Sequence, residues 1–332
     1  MTEDENMKKL SKEMILLIIF VLIFAILSVM SPGKFLSMGN IRSMCFQIPE
    51  FGLFAIAMML AILTGGINLS VITSGTLGSI LGALVLSRTA AAGMMPQLSI
   101  ALTILVVLLT STICGLINGL VVSYVGTAAM MTTLGTSTLY EGIGLLISKG
   151  NSISKFPTEF YWFGNGSILG MPVPMYIFVI AAVIVYLLLQ RTPWGLSVYM
   201  VGSNPKTTMY SGINVPGTMT RAYVLSGLLS GIAAVIMMSR YNSARIDYGS
   251  SYLMQTVAAS VLGGTLITGG YGKVIGVVIA VVTLQCISSG LNIFGLDTSL
   301  TSMITGFVLI ATLSLNYLAG RRGESGGKRK AK

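Results

Sequence analysis

Residues 201–213 read VGSNPKTTMYSGI and lie in the longest polar interval of an otherwise apolar chain, residues 191–221. Asn204 can cap the first turn of a helix with its side-chain oxygen. Pro205 then falls at the first helical position, where its missing N–H has no cost. Gly212 stands where a left-handed residue commonly ends a helix. The stretch therefore predicts a helix of about seven residues, roughly 10 Å long at ~1.5 Å per residue.

A helix this short is marginal in water unless it packs on a neighbour. Because the rest of the chain offers mostly membrane-embedded surface, one interpretation is a docking helix at the membrane face that another protein holds. The alternative is an ordinary capped turn that joins two membrane helices. The local sequence leaves both interpretations open.

The composition indicates an integral membrane protein. The 332 residues are 54% hydrophobic and only 9% charged, whereas soluble domains carry about 25% charged residues. The formal net charge is +10, but the basic residues lie at the ends of apolar segments and in the tail. Orientation in a bilayer explains that distribution, so we expect no nucleic-acid partner.

Several classes of catalytic site are disfavoured. The chain has no histidine, which argues against Ser-His hydrolases and His-based metalloproteases. Its three cysteines are far apart in apolar surroundings and are interpreted as core residues. Gly272 and Lys273 lack the earlier glycine of a P-loop, so the chain is not expected to hydrolyse ATP. No catalytic residue, cofactor or metal site is predicted.

The apolar runs predict an all-α membrane protein with about ten transmembrane helices. Residues 1–13 are expected to be a cytoplasmic segment, residues 14–320 the transmembrane domain with a cytoplasmic loop at 191–221, and residues 321–332 a disordered basic tail on anionic lipid. Ten spans put both termini on one side, and the positive-inside rule places that side in the cytoplasm. The runs lie near residues 14–30, 45–63, 71–87, 98–122, 127–148, 174–190, 222–240, 253–266, 274–291 and 300–319.

Two glycine-rich breaks interrupt the apolar runs with almost no polar spacer. The first contains Gly65, Gly66 and Asn68, and the second begins at Gly263 and Gly264. Irregular backbone at membrane depth is tolerated where protein covers it or where it lines a wet cavity, and such breaks often border a transport path. The alternative is a pair of tight turns whose small residues serve packing.

Glu141 is the most informative charge in the sequence, because a carboxylate within a membrane span is costly and usually functional or paired. It can face a polar pathway, pair with a basic residue, or lie near the interface, since Lys149 is only two turns away. Glu50 has the same ambiguity at the start of the second run. By contrast, Tyr161 and Trp162 in the polar stretch 149–171 indicate an exposed loop with an interfacial aromatic belt.

These motifs resemble sugar-importing ABC permeases of the ribose type, within the branched-chain amino acid/ribose permease family. Residues 63–71, LTGGINLSV, resemble the "TSGIDLSVG" signature, and residues 202–214 resemble the "GGNxxAxxxSGI" cytoplasmic loop. Residues 258–273 resemble the "AAVVLGGTxxxGGxG" stretch. Residues 243–254 look most similar to the autoinducer-2 importer permeases of the same family.

The resemblance implies a type II importer-like fold, a dimer with a second permease subunit, a separate ABC ATPase subunit and a substrate-binding protein. It also implies that Asn204–Gly212 is the coupling helix seated in the ATPase. Asn68 departs from the usual aspartate, residues 205–208 depart from a Glu-Ala-Ala-like stretch, and Glu141 stands where ribose permeases tend to carry arginine. The residues expected to couple to the ATPase are Gly202, Asn204, Pro205, Ser211 and Gly212. Those expected along the translocation path are Gly65, Gly66, Asn68, Glu141, Gly263 and Gly264.

The sequence thus predicts an inner-membrane permease for a ribose-like monosaccharide or an autoinducer-2-like small polyol. The alternative is an ion-coupled secondary transporter that uses Glu141 or Glu50 as a proton relay. A membrane enzyme fits least well, because the sequence shows no nucleophile–base pair and no metal cluster.

Overall fold

The structure, a computed structural model, describes residues 12–154 and 156–295 and the single positions 300, 303, 306 and 307. The described part is mostly helical. Residues 1–11 of the expected N-terminal segment, most of the predicted tenth span and the basic tail lie outside the described residues. The helices are α1 (Lys12–Met30), α2 (Pro32–Phe35), α3 (Met38–Leu63), α4 (Val71–Ala91), α5 (Pro96–Leu120, continued by a π-helical turn Val121–Val125), α6 (Ala129–Ser148), α7 (Thr158–Asn165), α8 (Val173–Arg191), α9 (Pro193–Ser203), α10 (Pro205–Tyr210), α11 (Val215–Tyr241), α12 (Tyr252–Leu262) and α13 (Val274–Ile293).

Six helices in the described ranges are long and apolar enough to cross a membrane, so the chain is a multi-pass membrane protein. They are α3, α4, α5 with its π-helical turn, α8, α11 and α13. Helix α6 has 20 residues but is less apolar, and α12 has only 11 residues. The count of ten spans therefore remains a prediction.

Helix α3 starts seven residues before the apolar run that predicted it. The Ser37 side chain accepts a hydrogen bond from the Asn40 N–H at 3.2 Å and caps the helix at Met38. Polar residues in the first turns, such as Asn40 and Arg42, conceal this start in a hydropathy pattern. As a result, Glu50 lies near the middle of α3 and not at its end.

The interval 191–221, expected as a loop, is mostly helical. Helices α9 and α10 occupy residues 193–210, and α11 already begins at Val215, where the Asn214 side chain accepts a hydrogen bond from the Gly217 N–H at 2.9 Å. Arg221 thus belongs to the long helix α11.

Helix α3 is the centre of the core. Every residue from Leu53 to Leu63 is fully buried, and α8, α11, α12 and α13 pack around it. Helices α4, α5 and α11 form a second closely packed group through small residues. A Cβ at Gly75 would lie 2.7 Å from the Ser230 hydroxyl, and a Cβ at Gly115 would overlap the Tyr223 carbonyl oxygen.

The two ends of the helix bundle differ. Helices α9 and α10 lie at the end where α3 finishes, which we call the α10 end. At the opposite end, β1 (Ile153–Ser154) pairs antiparallel with β4 (Ser243–Ala244), and helix α7 packs on the end of α11. A hairpin of β2 (Ser167–Ile168) and β3 (Met171–Pro172) leads there directly into α8. We call this the hairpin end.

Candidate functional site

The short helix predicted from residues 204–212 is present as α10. The Asn204 Oδ1 atom accepts a hydrogen bond from the Thr207 N–H at 3.1 Å, and Pro205 is the first helical residue. Gly212 has φ +80° and follows the last turn in a left-handed conformation. Local side chains and one glycine thus define both ends of the helix, as the sequence indicates.

Helix α10 presents most of its surface to the outside of the chain. Thr208 is the buried residue of the helix, while Met209 and Tyr210 are 61% and 86% exposed. Asn204, Pro205, Lys206, Ser211 and Gly212 are also exposed. A bulky aromatic and a flexible thioether beside a cation form a surface suited to a groove in another protein.

Gly202, one of the residues expected to couple to the ATPase, is buried within the chain. A Cβ at this position would overlap the Leu63 carbonyl oxygen and the Gly270 amide nitrogen. Only glycine permits this approach, because the neighbouring atoms are backbone atoms that cannot rotate away. Gly202 therefore joins α9 to the rest of the bundle and does not lie on the exposed face of α10.

Three chain segments meet at Gly202 and form what we call the glycine junction, which consists of residues 63–66, 202–203 and 269–270. The Gly270 N–H donates a hydrogen bond to the Leu63 carbonyl oxygen at 3.0 Å. A Cβ at Gly269 would lie 2.7 Å from the Gly65 nitrogen, and a Cβ at Gly270 would lie 2.8 Å from the Ser203 Cα. The two breaks predicted from sequence thus contact each other and the end of α9.

One side chain holds the second break against α9. The Tyr199 hydroxyl donates a hydrogen bond to the Gly272 carbonyl oxygen at 2.9 Å. Burial raises the pKa of the Tyr199 phenol above its ordinary value, so it stays protonated and available as a donor near neutral pH. Together with the glycine junction, this bond attaches the loop before α13 to the base of α10.

Asn68, the polar residue of the first break, forms a hydrogen bond to another helix. Asn68 is 2% exposed, and its amide donates to the Ser226 hydroxyl at 3.3 Å. Its Oδ1 atom accepts from the Ser70 hydroxyl at 2.9 Å, and the Asn118 amide donates to Ser70 at 2.6 Å. Gly65 beside it is exposed, whereas Gly66 is buried.

The glycines that open the second break have different environments. Gly263 is buried, and a Cβ there would lie 2.6 Å from the Val277 Cα atom on α13. Gly264 has φ +88° and no atom within 4 Å of an added Cβ. Gly263 thus allows α12 to pack closely on α13, and Gly264 reverses the chain after α12.

Glu141 is exposed on α6. Neither ion pair among the described residues includes Glu141. The same helix lines a shallow groove whose residues are Gly135, Thr138, Leu139, Gly142, Ile143 and Leu146. The surface of α6 therefore combines a carboxylate, a hydroxyl and two glycines with apolar side chains.

Glu50 has the partner that sequence reasoning missed. Its carboxylate, fully buried, lies 2.9 Å from the Arg240 guanidinium of α11 and accepts a 2.6 Å hydrogen bond from the Tyr252 hydroxyl of α12. The sequence contained one signal for this pair, because Arg240 ends the apolar run 222–240 as its only charge. Within the described ranges, no group of three or more His, Cys, Asp or Glu could hold a metal ion.

Comparison with known proteins identifies relatives along most of the chain. The family described as "Branched-chain amino acid transport system / permease component" matches residues 40–313. The ribose import permease protein of Bacillus subtilis is 36% identical over 301 residues, 90% of this chain and 90% of the relative. The autoinducer 2 import system permease protein of Yersinia enterocolitica is 36% identical over 284 residues, 82% of this chain and 83% of the relative.

A third relative is the autoinducer 2 import system permease protein of Escherichia coli K12, 35% identical over 287 residues, 83% of this chain and 84% of the relative. No solved structure matches the chain. The extent of the family match and the identity to these relatives confirm the resemblance that the sequence motifs indicate. The chain belongs to the family of branched-chain amino acid transport system permease components.

Proposed function

We propose that this protein is the transmembrane permease subunit of an ATP-binding-cassette importer in the bacterial inner membrane. Its cargo is a ribose-like monosaccharide or an autoinducer-2-like small polyol, in line with the names of its relatives. A separate ATPase subunit supplies the energy, a substrate-binding protein delivers the cargo, and a second permease subunit completes the pore. Both termini and the α10 end lie in the cytoplasm, as the distribution of basic residues favours.

The observation that carries this proposal is the exposed helix α10 mounted on the glycine junction. Tyr210 and Met209 project from it and are free to enter a groove of the ATPase subunit. A displacement of α10 reaches Gly202 through α9, and Gly202 contacts the backbone of both glycine-rich breaks. Because backbone atoms in contact have no side chain to yield, the movement is passed to α3, α4, α12 and α13.

The translocation path is proposed to run along α6 and between the two permease subunits. An exposed carboxylate is poorly tolerated by lipid tails, so the surface that carries Glu141 and Thr138 faces a polar space or another subunit. Gly65 and Gly264 lie at the ends of helices α3 and α12 and border this path when the α10 end opens. Asn68 holds α4 to α11 at its side.

The test is ATP-driven uptake of ribose into proteoliposomes that contain the complete complex. A Met209→Ala/Tyr210→Ala double variant should no longer copurify with the ATPase subunit, and its rate of uptake should fall at least tenfold, since aromatic anchors dominate such interfaces. Met95→Ala is the matched control, because Met95 is 73% exposed at the opposite end of the bundle. A double variant that keeps both its ATPase and its uptake would refute the docking role.

The same vesicles discriminate the second candidate, an ion-coupled transporter, which the exposed carboxylate of Glu141 favours. In that case an uncoupler abolishes uptake while removal of ATP has no effect. In an ABC importer the dependence is the reverse.

A further inference from the structure

The β2–β3 hairpin ends in an exposed leucine held in an unusual backbone conformation. Leu169 has φ +51° and Gly170 has φ +83°. A two-residue turn with two positive φ values is ordinarily built from Asn-Gly or Gly-Gly, because a branched side chain is strained there. The Leu169 side chain is 96% exposed, so no contact within the described chain compensates for the strain.

The surroundings of Leu169 are apolar and aromatic. Ile168 and Met171 on the hairpin are 43% and 49% exposed, and Tyr161 and Trp162 on α7 are 46% and 48% exposed. Tyrosine and tryptophan are enriched where a protein crosses from lipid tails to headgroups. The Arg42 guanidinium donates a 3.4 Å hydrogen bond to the Ser167 hydroxyl at the base of the hairpin, where it can face headgroup phosphates.

The hairpin continues the exposed apolar stripe of α8. The Tyr176 hydroxyl, on the first turn of α8, donates a 3.1 Å hydrogen bond to the Ile168 carbonyl oxygen. Tyr176 occupies the first position of a stripe that recurs every three or four residues along the helix. The other members are about half exposed, and they are Val179, Ile180, Val183, Ile184 and Leu187.

We propose that the hairpin tip is a membrane anchor that inserts Leu169 among the acyl chains of the leaflet at the hairpin end. Beyond Tyr176 the exposed stripe of this spanning helix is apolar and suits lipid, and the Tyr176 hydroxyl bonds the hairpin to the start of the stripe. Burial in lipid gives Leu169 the apolar contacts that its own chain does not provide. Helix α7 then lies along the same interface with Trp162 at headgroup depth.

Tryptophan fluorescence tests the anchor in the full-length permease reconstituted into phosphatidylcholine nanodiscs. A Leu169→Trp substitution in a Trp162→Phe/Trp194→Phe background places one reporter at the tip. Lipid brominated near the carboxyl end of its acyl chains should quench this reporter at least threefold more than unbrominated lipid does. Ser250→Trp in the same background is the control, because Ser250 is exposed in the connection between α11 and α12; iodide should quench it, and brominated lipid should not.

A second variant guards against a folding defect at the tip. Trp194→Phe alone leaves the native Trp162 as the reporter, and brominated lipid should quench it too. Three results would overturn the proposal. These are quenching of L169W by iodide alone, protection of L169W from iodide only after the binding protein is added, and a blue-shifted L169W spectrum without lipid quenching. The second result would assign the hairpin to the binding protein, and the third to a second permease copy.

Discussion

At the scale of single residues, the most consequential side chain is Glu50. It is fully buried on α3, and its ion pair with Arg240 on α11 and its hydrogen bond from Tyr252 on α12 connect three elements. The attraction between buried charges roughly offsets their desolvation, but removal of one partner leaves the other uncompensated. We therefore expect the pair to specify how α3, α11 and α12 meet more than it adds stability.

We expect Arg240→Leu to destabilise the protein by about 3–5 kcal/mol, the usual result of leaving a buried charge alone. The Glu50→Leu/Arg240→Leu double variant should recover much of this loss. Thermal unfolding in detergent is the measurement, and Arg245→Leu is the control, because the Arg245–Asp247 pair is about half exposed and should matter little. Equal melting of the single and double variants would show that the charge itself is not the cause.

Local chemistry made some of these residues predictable. The cap at Asn204 and the left-handed Gly212 follow from side chains within a few positions of each other, so the sequence alone predicts α10. The partner of Glu50 is 190 residues away, and no local pattern encodes that distance. For the same reason the sequence did not show that the nearest neighbours of Gly202 are Leu63 and Gly270 of its own chain.

At the scale of elements, the glycine junction connects helices that are distant in sequence. Residues 63–66 end α3, residues 202–203 end α9, and residues 269–270 precede α13. Their backbones touch, so α9 cannot move closer to the two breaks without displacing the Leu63 carbonyl and the Gly270 amide, which are hydrogen-bonded to each other. Both breaks therefore pack against each other and against the end of α9, where α10 begins, and their place along a transport path stays a prediction.

We expect Gly202→Ala to separate ATP hydrolysis from transport. The added methyl group must displace backbone at the junction, and such overpacking costs about 1–3 kcal/mol. With α10 itself intact, the ATPase subunit should still bind and hydrolyse ATP, while the ribose taken up per ATP hydrolysed should fall several-fold. Gly39→Ala is the control, since nothing lies within 4 Å of its added Cβ. Unchanged uptake per ATP in the Gly202→Ala complex would remove the junction from the coupling route.

The first and last residues of a helix were predictable only where the limits of the apolar run coincide with the capping residues. Helix α8 matches its apolar run closely, but α3 extends seven residues beyond its run because Ser37 caps a polar first turn. Helix α6 forms although its composition is mixed, and α12 ends after 11 residues. Both helices nevertheless fall within or close to their predicted runs, 127–148 and 253–266, and α12 ends where the predicted break begins at Gly263.

At the scale of the whole molecule, the exposed surfaces within the bundle are of two kinds. The stripe of α8 is uniformly apolar, from Val179 to Leu187. The exposed face of α6 instead carries Glu141, Thr138 and two glycines. Lipid suits the first surface and not the second, which supports the proposal that the second permease subunit and the path lie on the α6 side.

Thiol labelling in membranes measures this difference. In a background without Cys45, Cys114 and Cys286, a charged maleimide should label Thr138→Cys at least tenfold faster than Val183→Cys on α8. The reason is that a thiol in lipid is neither ionised nor reached by the reagent. If both cysteines stay unlabelled in the complete complex while Thr138→Cys reacts in the isolated permease, α6 lies in a dry subunit interface and not along the path.

The class of the molecule was readable from composition, because 9% charged residues cannot cover a water-soluble surface. The pattern also indicated the family, since its motifs are long and occur in order. It did not indicate which exposed face meets lipid. That distinction depends on which residues of α6 and α8 point away from the bundle. Because the composition of α6 is mixed, its sequence does not show which of its sides is exposed.

The glycine junction also constrains how this protein can change. When two side chains clash, either of them can be replaced by a smaller one, so a steric clash caused by a substitution at one position can be relieved by a substitution at the other. At Gly202 the opposing atoms are the Leu63 carbonyl and the Gly270 amide, which every amino acid carries. A larger residue at position 202 therefore cannot be compensated by a substitution at position 63 or 270. The sequences of the three segments can change only where the backbone contact is preserved.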